Sequence, residues 1–208
     1  MFIKICGVKN FTELRMVEKC ADATGVVVRA ASRRAIGPGV AKEIISSAQI
    51  PVFVVSTENT LEGWMDIIRE TGAECIQVHS DMGVQEFEKL REIFDGEIIK
   101  AFKVPQKCDC IEREVEVGKM MAKMSSYNPD YFLLDTGNGS GKLHDLRISK
   151  EIVEKVKENI ILAGGLDPVN VSEIAGYVKP FGVDVSSGVE RCNMKNEQLI
   201  KDFSEVFK

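Results

Sequence analysis

The 208-residue sequence predicts a single-domain α/β fold, a (β/α)8 barrel of the TIM type, on three observations. Short apolar runs rich in Ile and Val alternate with amphipathic stretches from end to end. Eight such runs are present, and no segment rich in Pro, Gly or Ser interrupts the alternation. Runs without polar–apolar alternation belong to parallel strands covered on both faces. Eight units in 208 residues leave 26 for each, near the lower limit for such a barrel. An open doubly wound sheet of this length has only about five or six strands.

The elements follow in order. Phe2–Cys6 is the first strand, and a helix opens at Asn10-Phe11-Thr12-Glu13, a capping residue ahead of an acid. Ala23–Val28 and Val52–Val55 are the second and third strands, with Pro38 between them at a loop or helix start. Asn59-Thr60-Leu61-Glu62 repeats the cap-and-acid pattern, and Gly72 marks the region where that helix ends. Cys75–His79, Ile98–Phe102 and Tyr131–Asp135 come next, with Gly96 and Pro129 near the breaks. Ile160–Ala163 and Gly182–Val185 complete the set, with Pro168 and Gly176 between them.

Composition narrows the function classes. The 27 basic and 32 acidic residues give a net charge of −5, which lacks the basic face that nucleic-acid binding needs. No apolar run approaches the ~20 residues of a membrane span. The start, Met1 to Cys6, has no basic region ahead of a longer apolar stretch, so no secretion signal is expected. Six irregularly spaced cysteines beside a full-sized core fit reduced thiols of the cytoplasm.

In a closed barrel the chemistry lies where the strands end and the βα loops gather. The strand ends here are Cys6, the loop from Arg29 to Arg34, His79, Asp135, Gly164-Gly165 and Ser186-Ser187-Gly188. The last two follow the seventh and eighth strands. Small residues there let main-chain N–H groups approach phosphate oxygens, helped by a helix N-terminus expected near Ser187. A carboxylate closing a buried strand, Asp135, needs a partner or a task. With the thiol of Cys6 on the other side of a ligand it forms an acid–base pair. One arginine of Arg29, Arg33 and Arg34 could hold a substrate carboxylate through paired hydrogen bonds; the other two are solvated loop charges.

Other patterns fail. Thr136 to Leu143 resembles a nucleotide P-loop, yet Thr136 stands where Gly is needed and Leu143 where Ser or Thr is needed. Cys108 and Cys110 have no second Cys or His cluster, so no metal is expected.

Six motifs occur in order: Lys4-Ile-Cys-Gly7, Gln77-Val-His79, Leu133-Leu-Asp135, Gly139-Ser-Gly-Lys142, Ala163-Gly-Gly-Leu166 and Val183-Asp-Val-Ser-Ser-Gly-Val-Glu190. Over essentially the whole chain they resemble the phosphoribosylanthranilate isomerases. The resemblance implies an Amadori rearrangement in tryptophan biosynthesis, with a small phosphorylated substrate and no metal or organic cofactor. It implies Cys6 as general base, Asp135 as general acid and Arg34 on the anthranilate carboxylate. Gly164, Gly165, Ser186, Ser187 and Gly188 fall on the phosphate turns. A monomer or homodimer in the cytoplasm is expected, without nucleic acid or membrane. The related sugar isomerase of histidine biosynthesis would place an aspartate where Cys6 stands. A non-catalytic phosphosugar sensor would have no need of both Cys6 and Asp135.

Overall fold

Eight parallel strands close on themselves in sequence order, β1 pairing with both β2 and β8. They are β1 Phe2–Cys6, β2 Ala23–Val27, β3 Val52–Ser56, β4 Cys75–Val78, β5 Glu97–Lys103, β6 Tyr131–Asp135, β7 Ile160–Leu162 and β8 Gly182–Val185. The computed structural model describes residues 1–137, 143–156 and 158–207. The Gly139–Lys142 motif therefore lies outside the described residues.

A helix follows each strand. In order these are α1 Phe11–Val17, α2 Pro38–Ser47, α3 Leu61–Thr71, α4 Val84–Ile93, α5 Cys110–Met124, α6 Leu146–Lys155, α7 Val171–Val178 and α8 Glu197–Glu205. Local chemistry sets their ends as expected. The Asn10 side chain accepts from the Glu13 N–H, Thr60 accepts from Gly63, and Pro38 is the first residue of α2. Gly72 closes α3 in the left-handed region at φ 69°.

Burial on both faces accounts for the apolar runs. Outward residues such as Ile5, Val26, Val54, Ile76 and Leu134 join the large core between barrel and helices. Inward residues Phe53, Ile99, Leu133 and Ile161 fill the lumen as a second cluster. Each fully buried Val, Leu or Ile contributes roughly 1.5–3 kcal/mol. Phe2, Tyr131 and Phe181 stack across the N-terminal end of the barrel, with centroids 5.6 to 5.8 Å apart. The opposite end is left open for ligands. Among the described residues no helix is long and apolar enough to cross a membrane.

The chain after β8 departs from the sequence expectation. No α-helix starts near Ser187: the segment is a single 3-10 turn, Ser187–Val189. It leads into a short antiparallel pair, Glu190–Arg191 with Met194–Lys195. Cys192 and Asn193 turn the chain at φ 51° and 61°. This excursion brings Lys195 back against the end of β8, where it is buried.

Candidate active site

Residues two apart on a strand point the same way, so each inward series ends at the open mouth of the barrel. The series Lys4–Cys6, Gln77–His79, Leu133–Asp135 and Asp184–Ser186 come from β1, β4, β6 and β8. Their ends line one cavity of about 660 Å³, shared with Arg34, Gly164, Gly165 and Ser187. That is the size of a small-molecule site. Cys6 and Asp135 face it from strands three steps apart around the ring.

The thiol shares a tight corner with an ammonium. A Cβ at Gly25 would stand 2.9 Å from Sγ of Cys6 and 3.3 Å from Nζ of Lys4, so the missing side chain makes room for both. Lys4 and Asp184 are register partners on β1 and β8, and their charges lie 3.1 Å apart. Burial acts against the Lys4 charge, but Asp184 and then Cys6 outweigh it and hold the ammonium above its ordinary range. Burial pushes the Cys6 thiol up. Lys4 pulls it down, Asp184 adds to the rise, and Lys195 and Arg34 pull down more weakly.

Asp135 has the opposite balance. Burial would raise it, but the hydrogen bond and charge of His79, with the N–H groups of Gly137 and Thr136, hold it below the usual carboxylate value. The His79 Nε2 to Asp135 Oδ2 distance is 3.3 Å.

Of the three arginines, Arg34 is the one folded into the cavity wall. Its side chain is 11% exposed, and its Nε and Nη2 donate to Oε1 and Oε2 of Glu190 at 2.6 and 3.0 Å. Arg33 lines the cavity from an exposed position and donates to the same carboxylate at 3.0 Å. Arg29 pairs with Glu70 and lines no part of the cavity. Lys195 donates to Glu190 Oε1 and to the Ser186 carbonyl, each at 3.0 Å. Burial acts to raise Glu190, but the hydrogen bond from Arg34 and the charge of Lys195 bring it down to about 2. Gly7 gives Arg34 its place: at φ +84° it has the freedom it needs, and a Cβ there would meet Arg34 Cδ at 2.4 Å.

Four of the five turn residues border the cavity. Gly164 and Gly165 adopt φ +86° and +69°, which favours glycine, and both line the cavity with Ser186 and Ser187. Gly188 does not line it. Its Cα lies against the other turn, where a Cβ would stand 1.9 Å from the Leu166 carbonyl oxygen.

The description N-(5'phosphoribosyl)anthranilate (PRA) isomerase belongs to the family model that matches residues 3–206. The chain belongs to this family. An N-(5'-phosphoribosyl)anthranilate isomerase from Methanococcus aeolicus is 50% identical, the match covering 100% of this chain and 98% of that protein. One from Pyrococcus abyssi is 49% identical over 98% of this chain and 96% of its own. The solved structure from Pyrococcus furiosus superposes with a TM-score of 0.91 at 44% identity, covering 99% of this chain and 98% of that one.

Within a phosphoribosylanthranilate isomerase frame, Cys6, Asp135, Arg34 and four of the five turn residues share one cavity. Lys4, Gln77, Asp184, Glu190 and Lys195 received no role from the sequence. The first three carried a signal: each is a polar residue on the inward face of an otherwise apolar run, two positions before Cys6, His79 and Ser186 in turn. Glu190 closes a quoted motif. Lys195 carried no local signal, because the return of the chain after β8 places it.

Proposed function

We propose that this protein catalyses the Amadori rearrangement of N-(5-phosphoribosyl)anthranilate to 1-(2-carboxyphenylamino)-1-deoxyribulose 5-phosphate in tryptophan biosynthesis. The observation that carries the reading is a thiol and a carboxyl group bordering one cavity, with glycine- and serine-bearing turns on its rim. Asp135 donates a proton to the furanose ring oxygen. The ring C–O bond breaks with its electron pair on oxygen, and the anilino nitrogen lone pair completes a protonated Schiff base. Cys6, as thiolate, takes the C2′ proton, giving an enolamine that tautomerises to the ketone. No metal or organic cofactor is required, because the reaction is redox-neutral overall and the ring opening and enolisation are each driven by proton transfer.

Arg34 faces the anthranilate carboxylate while Glu190 fixes its orientation. Main-chain N–H groups of Gly165 and Ser187 take the phosphate, with the buried charge of Lys195 close behind Ser186. Before substrate arrives, burial favours the Cys6 thiol while His79 favours the Asp135 carboxylate. The working state moves one proton from the sulfur side of the cavity to the carboxyl side, leaving the total unchanged. The reading places the enzyme in the cytoplasm, as a monomer or homodimer, without nucleic acid or membrane.

Loss of phosphoribosylanthranilate fluorescence on adding the purified protein tests the activity. Binding of a reduced product analogue without turnover of substrate would instead mark a phosphosugar sensor.

A further inference from the structure

An acid must hold its proton until the substrate needs it, and Asp135 sits where a lone carboxyl group gives that proton up. The neighbouring strand offers a remedy. Gln77 and His79 lie two residues apart at the end of β4, and both line the cavity. Nε2 of Gln77 is 3.0 Å from Nδ1 of His79, and Nε2 of His79 is 3.3 Å from Oδ2 of Asp135. An amide nitrogen can only donate, so Nδ1 accepts and the single ring proton sits on Nε2, aimed at the carboxylate. The other end of the amide, Oε1 of Gln77, is buried with no hydrogen-bond partner. Buried polar atoms left unpaired are rare enough to require a reason.

We propose that His79 and Asp135 hold the acid proton jointly, and that Gln77 turns its amide to admit it. This rests on the reading of Asp135 as the general acid. One more proton on the pair puts hydrogens on both ring nitrogens, and the new Nδ1–H needs an acceptor. A half-turn of the Gln77 amide brings the unpaired Oε1 to the place that Nε2 held. The pair then interchanges between imidazolium with carboxylate and imidazole with carboxylic acid, by moving one proton along the Nε2 to Oδ2 contact. The Nε2 proton passes to Oδ2 of Asp135, and Asp135 gives it to the ring oxygen, so the carboxylate remains. His79 is left neutral with its proton on Nδ1, held by Oε1 of Gln77. Cys6 gains one proton from C2′ and the pair loses one, so the protein's proton count is unchanged across the step. Exchange through the solvent in the cavity resets both groups.

Two carboxylates act on His79: Asp135 from β6 and, at longer range, Asp184 from β8, the latter already paired with Lys4. The ring is 30% exposed, enough for solvent to reach it.

The chain has two histidines, His79 and His144, so imidazole nitrogen resonances of the intact 15N-labelled protein are assigned with one variant. His144 is buried, and burial pushes it down to about 4 against the pull of Asp135 and Asp145, so it stays neutral in the working range. His79 is expected to carry its proton on Nε2 in the free protein at high pH. It should gain one on Nδ1 as pH falls, and at higher pH when the reduced product analogue is bound. One limb of the kcat profile should coincide with that titration. Gln77→Glu, a standing acceptor for Nδ1–H, should move limb and titration together to higher pH. Gln77→Leu should move both lower, with kcat reduced about tenfold and KM within about threefold. A merely structural Gln77 would lower thermal stability and leave the limb in place. A His79 that keeps one neutral tautomer, free and bound, wherever kcat changes would overturn the proposal. So would variants that shift the His79 titration without shifting kcat. Asp135→Asn separates the two readings: wild-type turnover in that variant overturns the acid assignment itself, whereas an inactive variant with an unmoved His79 overturns only the shared proton.

Discussion

Gly188 and Leu166 hold the turns after β7 and β8 against each other: a Cβ on Gly188 would stand 1.9 Å from the Leu166 carbonyl oxygen and 2.9 Å from the Asp167 Cα. Both obstacles are main chain, so neither can swing aside as a flexible side chain would. Gly188 thus acts as a spacer that sets the gap between the loops after β7 and β8. Gly188→Ala should push the turns apart and weaken binding of the reduced product analogue by ~10-fold or more, with a stability loss of about 1–3 kcal/mol. Calorimetric titration and thermal melts on the same sample measure both. Binding at wild-type strength would remove the spacer role.

Cys6 and Asp135 should separate binding from turnover. Cys6→Ala is expected to lose at least ~10²-fold in kcat, with analogue affinity kept within several-fold. Cys6→Ser should be nearly as slow, since an alcohol is too weak an acid to supply the anion. Asp135→Asn keeps the shape and a hydrogen-bond donor but has no proton to transfer, so turnover should collapse while the analogue still binds. A variant that unfolds instead would make Asp135 a structural residue.

Glu190 ties the orientation of Arg34 to acid stability. Glu190→Gln should raise KM about tenfold with little change in kcat, because Arg34 loses the partner that orients it. Its depressed pKa also gives a sign. The carboxylate adds stability above its unfolded value of 4.5, and that contribution is lost as pH falls toward about 2. The gap in melting temperature between wild type and Glu190→Gln should therefore close across that window.

Lys100 points outward from β5 into the core and is 1% exposed, with its ammonium donating to the carbonyls of Ser80 and Ala101. It lies over the rings of Phe102 and Tyr127 at 4.9 and 5.3 Å. Burial, with repulsion from Lys123, lowers it to about 8 against the pull of Asp81. The unfolded chain binds the extra proton between pH 8 and 10.5, so stability rises with pH over that interval, by roughly 3 kcal/mol. Lys100→Met should abolish this rise, as read from urea midpoints across the same pH range.

Much of the barrel was legible because burial on both faces leaves an unmistakable mark, a short apolar run with no alternation. Phe2–Cys6, Tyr131–Asp135 and Gly182–Val185 have the same bounds in sequence and structure; the other strands differ by one residue at the C-terminal end, and β5 by one at both ends. Cys6, His79 and Asp135 were legible too, because an inward series must end at the mouth. The side that Gly188 presents, and the absence of a helix at Ser187, were not. Both depend on where the chain goes after β8, and that path turns at Cys192 and Asn193 in left-handed conformations with no glycine to announce them.

The sequence by itself determined the fold class, the eight strands and the placing of Cys6 and Asp135 at strand ends, since each follows from spacing within a few residues of chain. Only the tertiary structure decided the electrostatics of the site. Lys4 meets Asp184 across 180 residues, Arg34 meets Glu190 across 156, and His79 meets Asp135 because the barrel brings β4 and β6 to one mouth. Such pairings arise from closure of the ring, which joins the first strand to the last. No local pattern encodes them.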